Sequence, residues 1–185
     1  MSYKYSKGAQ VIGDLKAEDD TQRDTLIDFE EDRIDLQTSG SVRFQVNNNG
    51  SNLYHTPLDL SNNTGVGEVV KFGSGTLTAG KLYYLNSSAW AEVDADAVAT
   101  GADQMLGIAL GSNPASDGVL IRGFFDAHSY LSNFSAGKAV YVSTTAGGMD
   151  TTKPSGASDF VRIVGYCTTT SNVIYFNPSS TWVEL

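Results

Sequence analysis

The stretch Gly75-Thr76-Leu77-Thr78-Ala79-Gly80-Lys81 has the glycine and lysine spacing of a loop that cradles phosphates, where backbone N–H groups and a lysine meet an anion. Such a loop needs Ser or Thr at the next position to hold magnesium, and Leu82 stands there. It must also open a helix, whereas Leu82-Tyr83-Tyr84-Leu85 consists of strand formers, so the segment reads as a structural turn. Asp94-Ala95-Asp96 begins like a calcium loop, but Ala99 and Met105 replace its glycine and its bidentate glutamate. Glu18-Asp19-Asp20, with Asp24 nearby, is either a solvated charged loop or a calcium cluster shared between symmetry-related chains. The two histidines, His55 and His128, are too few for a catalytic zinc site, and no Gly-x-Ser-x-Gly elbow exposes a serine nucleophile. Cys167, the one cysteine, sits in the apolar run Val161 to Cys167 and reads as a small buried hydrophobe. No catalytic, cofactor-binding or metal-ligating residue is therefore assigned, and the expected protein is not an enzyme.

The 185-residue chain has room for one domain or two small ones, with a core that needs no disulfide. Its net charge of −9 opposes approach to a phosphate backbone, so nucleic acid is not an expected partner. No apolar run is long enough to span a bilayer and the first residues lack the apolar stretch of a secretory signal, so the expectation is a protein made in a cytosol without membrane insertion. Charged residues make up only 18%, while 19 glycines and many Ser, Thr and Asn replace the residues of surface helices, which is a β composition.

The chain divides on pattern into residues 1–60 and 61–185. In the first part Ile27 and Phe29, then Ile34 and Leu36, then Val42, Phe44 and Val46 alternate with polar neighbours, which predicts three short strands. Glu31-Asp32, Thr38 to Ser41 and Asn47-Asn48-Asn49-Gly50 separate and close them, the last with an Asn-Gly suited to positive φ. One apolar stripe per strand cannot close a core alone, and a symmetric oligomer is the simplest cover for it. Ser61 to Gly67 reads as a polar linker.

The second part is internally duplicated. Ala79-Gly80-Lys81 before Leu82-Tyr83-Tyr84-Leu85 recurs 57 residues later as Ala136-Gly137-Lys138 before Ala139-Val140-Tyr141-Val142. Met105 to Ala109 is echoed by Ile163 to Cys167 at an offset of 58, and Val119-Leu120-Ile121 by Val173-Ile174-Tyr175 at 54. With a strand near residues 69–72, this predicts a small β-barrel or sandwich of about seven to eight strands with pseudo-twofold character. Helices have almost no room, apart from a turn at residues 94–100 or 129–133. Within the strands one of Tyr83 and Tyr84, and one of Phe124 and Phe125, must point away from the core. Trp90 and Trp182 are the candidates for an exposed ring that stacks on sugar, which would make the outer domain a receptor- or glycan-binding module.

Gly13-Asp14-Leu15, Arg23 to Leu36 and Thr38 to Gly50 resemble the fibre-like virion proteins of tailed bacteriophages, particularly marine and cyanobacterial ones, over about the first 50 residues, and the run Asp24-Thr25-Leu26-Ile27-Asp28-Phe29-Glu30 to Ser41 is the recognisable part. A weaker likeness to small domains of phage fibre ends and capsid decoration proteins rests on Thr78 to Lys81, Leu106 to Ala109 and Ser135 to Lys138. The resemblance implies an intertwined trimeric β-prism over the first part, and a non-enzymatic structural protein of the virion, assembled in the host cytoplasm. A short head or tail fibre and a capsid cement protein both fit, since the first module occurs once. Partners would be two further copies, capsid or tail proteins, and a host surface glycan. Tyr3, Lys4 and Tyr5, on a terminal tail with two aromatic rings to bury, are the expected virion-docking residues.

Overall fold

A computed structural model describes residues 15–16, 21–22, 24–55 and 60–185. The fold is all-β and forms two compact units, residues 1–55 and 56–185. The expected boundary of 60 and 61 lies five residues further along.

The first unit is one antiparallel sheet whose strands follow chain order: β1 (Leu15–Lys16), β2 (Leu26–Glu30), β3 (Arg33–Thr38), β4 (Ser41–Asn47) and β5 (Gly50–Leu53). Two-residue turns join the last four. Ser39 and Gly40 both take positive φ, 49° and 66°, the backbone that matches strand twist in a tight hairpin. In the Asn47 to Gly50 run only Gly50 does so. Among the described residues every strand pairs with its sequence neighbour, so a single chain can supply the whole sheet.

The second unit holds β6 (Gly65–Val70), β7 (Leu82–Asn86), β8 (Ala89–Glu92), β9 (Leu106–Ala109), β10 (Val119–Asp126), β11 (Leu131–Ser132), β12 (Ala139–Val142), β13 (Met149–Asp150), β14 (Phe160–Cys167), β15 (Val173–Phe176) and β16 (Trp182–Glu184). They form a curled, half-barrel sheet in the order β11-β13-β12-β14-β15-β10-β9-β7-β8, with β6 added to β10 and β16 to β14. Eleven strands exceed the seven or eight expected, because the polar stretches between the predicted strands contain the short β8, β11 and β13 and β16 adds another after β15. Ser61 to Gly67 is not simply a linker: β6 starts at Gly65 and is laddered along β10. The single 3-10 turn, Val98–Thr100, falls in one of the two places left for it.

The duplicated segments share their backbone bonding. Gly80 N–H donates to the Ala109 carbonyl and Gly137 N–H to that of Cys167, at 2.9 and 3.0 Å. Ala109 N–H returns to Lys81, and Cys167 N–H to Lys138. Leu106 and Val164, and Leu120 and Ile174, are counterparts that share the main core, but around the Ala-Gly-Lys turns the two copies turn opposite faces to it. Leu82 and Ile108 are fully buried in it, whereas their counterparts Ala139 and Tyr166 face outward. Val140 and Cys167 belong to the main core, whereas their counterparts Tyr83 and Ala109 join Leu77, Trp90 and Val119 in a second cluster on the other side of the sheet.

Tyr84 lies in the main core and Tyr83 points away from it, as expected of strand neighbours, but the second cluster buries Tyr83 on the far face. Leu77 is part of the second cluster, Thr78 N–H donates to the Tyr83 hydroxyl at 2.8 Å, and the Phe72 ring lies 5.8 Å from that of Trp90. The residues between β6 and β7 thus cover a sheet face that alternation alone would leave wet. Phe124 and Phe125 behave as expected of strand neighbours, with Phe125 fully buried and Phe124 on the outer face.

Candidate assembly surface

Cross-strand register sorts the first sheet into two faces. Leu15, Ile27, Leu36, Phe44 and Leu53 form one row across all five strands, and Phe29, Ile34 and Val46 form the next row on that face. Eight apolar side chains therefore lie together. Six of them, Leu15, Phe29, Ile34, Leu36, Val46 and Leu53, are between 39% and 62% exposed. A shallow depression of about 400 Å³ on the face is bordered by Phe29, Ile34 and Val46. Contiguous apolar area of this kind is rare on a monomer surface and marks a contact site.

The opposite face is polar and internally bonded. Asp35, only 2% exposed, accepts from Gln45 Nε2 at 3.0 Å and pairs with Arg33 Nε at 3.1 Å. Asn47 Nδ2 donates to Gln45 Oε1, and Gln37 Nε2 to Asp28, each at 3.1 Å. Side-chain bonding on this face fixes which side of the sheet is wet and leaves the apolar side as the one to be covered. The sequence pattern identified Ile27, Phe29, Ile34, Leu36, Phe44 and Val46, but also Val42, which a bulge between Leu36 and Gln37 pairs with Gln37 outside these two rows. It missed Leu15 and Leu53, whose strands are too short to show alternation.

The expected sugar platforms are placed differently. Trp90 is 4% exposed and its Nε1 donates to the Phe72 carbonyl at 2.9 Å, so this ring is a core residue with a satisfied polar end and offers no stacking surface. Trp182, on β16 opposite Arg162, is half-buried and packs on the main core. Tyr3, Lys4, Tyr5 and the Glu18-Asp19-Asp20 cluster lie outside the described residues.

Among the described residues no group of three or more His, Cys, Asp or Glu side chains is placed to hold a metal ion. Asp94, Asp96 and Asp159 come near one another beside an open polar hollow that Lys153 also lines, and partial burial with the repulsion of Asp94 and Asp159 holds the Asp96 carboxyl above its usual range. Gly80 and Lys81 turn the chain into a strand, as expected, and donate no helix terminus to a phosphate. His128 Nδ1 meets Asn172 Nδ2 at 2.9 Å, and no serine or acid completes a relay with it. No helix among the described residues is long and apolar enough to cross a membrane.

Cys167 is buried beside Ile174, and burial pushes its thiol above the ordinary range against a weaker opposing hydrogen bond from the Ser135 backbone. Alkylation by iodoacetamide at mildly alkaline pH is expected to run at least about tenfold slower in the native chain than in strong guanidinium. Equal rates would show that the β14–β15 pair opens freely.

Comparison with protein-family models, with curated protein sequences and with solved structures finds no match. The class that stands on the fold is an all-β protein of two units, one of them a sheet whose apolar face is exposed among the described residues.

Proposed function

We propose that this chain is a non-enzymatic assembly protein of a tailed-phage virion, a short trimeric fibre or capsid decoration protein whose first sheet associates with two further copies while the second unit projects. The observation that carries this reading is the apolar face of eight side chains, six of them exposed, on a sheet that the described residues of its own unit do not cover. Three such faces turned inward make a prism with a dry centre and the polar, hydrogen-bonded faces outward. In this arrangement whole sheets meet and no strands are exchanged. The phage assignment rests on the likeness of residues 24–41 to fibre-like virion proteins, and capsid or tail proteins are the partners it names. The work of such a protein is mechanical.

Native mass by multi-angle light scattering, at low and high salt, tests the association. A trimer that survives high salt is expected, since apolar contacts are not screened. Ile34→Asp and Val46→Asp each place a charge in the dry centre and should weaken association by at least about a hundredfold. A wild-type monomer at all concentrations overturns the assembly reading. Labelled antibody on purified particles tests the location, and absence from particles overturns the virion assignment.

A further inference from the structure

Asn49-Gly50 is the one Asn-Gly step in the chain, and Asp117-Gly118 the one Asp-Gly step. Both pairs share a chemistry that needs no catalyst. Glycine has no side chain to shield its backbone nitrogen, so that nitrogen can reach the carbonyl carbon of the preceding side chain and close a five-membered ring. The structure separates the two steps.

Asp117 is tied down. Its Oδ2 accepts from the Asn113 N–H at 2.9 Å and its Oδ1 from the Ser116 hydroxyl at 3.2 Å. The Asn113 bond above all keeps the carboxyl below its usual range, and an ionised carboxylate resists attack by a nucleophile. Gly118 is buried, and a Cβ there would overlap Val69. Asn49 has no such ties. It is exposed in the turn between β4 and β5, where its N–H donates to Asn47 Oδ1 at 2.9 Å, and no hydrogen bond among the described residues engages its side-chain amide. The space beside Gly50 is open, since a Cβ there would meet nothing within 4 Å. The Asn47–Gly50 pair is also the end of the β4–β5 ladder, where backbone hydrogen bonds open first. Asn47 and Asn48 share this turn, but each is followed by an asparagine whose side chain crowds the attacking nitrogen.

We propose that Asn49 is a self-modification site, at which the side-chain amide leaves as ammonia and the main chain is rebuilt through isoaspartate. The Gly50 nitrogen gives its proton to hydroxide and bonds to Asn49 Cγ. The Cγ–Nδ2 bond breaks, and the departing nitrogen takes a proton from water. Water then opens the succinimide at either carbonyl, giving aspartate or isoaspartate at position 49. Both products add a negative charge, and isoaspartate adds a carbon to the main chain of a tight turn. β5 then loses its register with β4, and Leu53 leaves the row it shares with Phe44. The reaction does not depend on the assembly reading.

The test incubates the full native chain in warm, mildly alkaline buffer and maps its peptides by mass spectrometry, with isoaspartate counted by enzymatic methylation. A gain of about 1 Da at Asn49 is expected, at least about tenfold faster than any change at Asn47, Asn48 or Asp117. Its rate should rise about tenfold per pH unit, because the attacking nitrogen must lose its proton. Tyr54 N–H, which donates to the Arg43 carbonyl at 2.8 Å, should exchange with solvent at least about fivefold faster in the isoaspartate form. A native chain that stays unmodified while the chain in guanidinium reacts overturns the proposal, as does an Asp117 that changes as fast as Asn49. Unaltered Tyr54 exchange overturns the displacement of β5. Native mass, followed in parallel, judges the assembly reading separately.

Discussion

Gly123→Ala should destabilise the second unit by about 3–5 kcal/mol, and Gly67→Ala by a similar amount. The two glycines are opposite each other where β6 is laddered on β10, with φ of 150° at Gly67 and 145° at Gly123. A Cβ at Gly123 would overlap the Val66 carbonyl oxygen and lie 2.8 Å from the Gly67 Cα, while one at Gly67 would overlap the Arg122 carbonyl and lie 2.7 Å from the Gly123 Cα. Main chain blocks both positions, so no side-chain rotation relieves either overlap. The two strands would have to separate, which breaks the ladder. Gly137→Ala is the control, because its φ of 77° is also positive but no atom lies within 4 Å of the added carbon, and it should cost only about 1 kcal/mol. Urea unfolding followed by tryptophan emission measures all three, since Trp90 and Trp182 both lie in the second unit. A Gly123→Ala loss no larger than that of Gly137→Ala would mean the β6–β10 approach is looser than described.

Arg162→Met should cost about 3 kcal/mol. Arg162 is 5% exposed, and its guanidinium has taken on the role of a cross-link between three parts of the chain. Nη1 donates to the carbonyls of Gly101, Ala102 and Gln104 at 2.7, 3.0 and 2.7 Å, and Nε to that of Ser179 at 2.7 Å. Burial lowers its pKa against the smaller, opposite influence of Asp103, and the group still stays a cation at any working pH. Methionine keeps the aliphatic stem but leaves four carbonyls without their donor, and removing the charge returns only part of that through desolvation no longer incurred. Arg162→Lys keeps the charge but cannot direct planar N–H groups at four carbonyls, so its loss should fall between the two. The same urea measurement decides it, and a Met variant within about 0.5 kcal/mol of the wild type would show that water replaces the guanidinium at these carbonyls.

The first unit was legible because its strands keep a strict two-residue period and are joined by two-residue turns. The predicted cores of β2, β3 and β4 at residues 26–30, 33–37 and 42–46 differ by at most a residue at each end from the observed bounds. The apolar face of the candidate assembly surface follows directly from that period. In the second unit the duplicated turns and their order were legible, since Ala-Gly-Lys repeats by identity. Which face each copy buries was not. That depends on the residues between β6 and β7 covering Tyr83 and Trp90, and nothing in the alternation of β7 or β8 reports a cover contributed by another segment. β6 was read as a linker because Gly65 and Gly67 look like turn residues, when Gly67 is required for close approach to Gly123.

The two units differ in how far apart in the chain their paired strands lie. Every pairing in the first sheet joins consecutive strands, with β2 to β5 linked by the shortest turns, whereas β7 pairs with β9 across residues 82 to 108 and β10 with β15 across residues 123 to 176. Local pairings close in microseconds, while pairings this distant slow a β fold to milliseconds or longer. On a ribosome the first sheet is complete once its final strand has emerged, while β15, on which the long sheet depends, has yet to be synthesised. The apolar face is thus presented early, on chains still tethered to neighbouring ribosomes of one message, so in the proposed assembly copies made together would be the ones that meet.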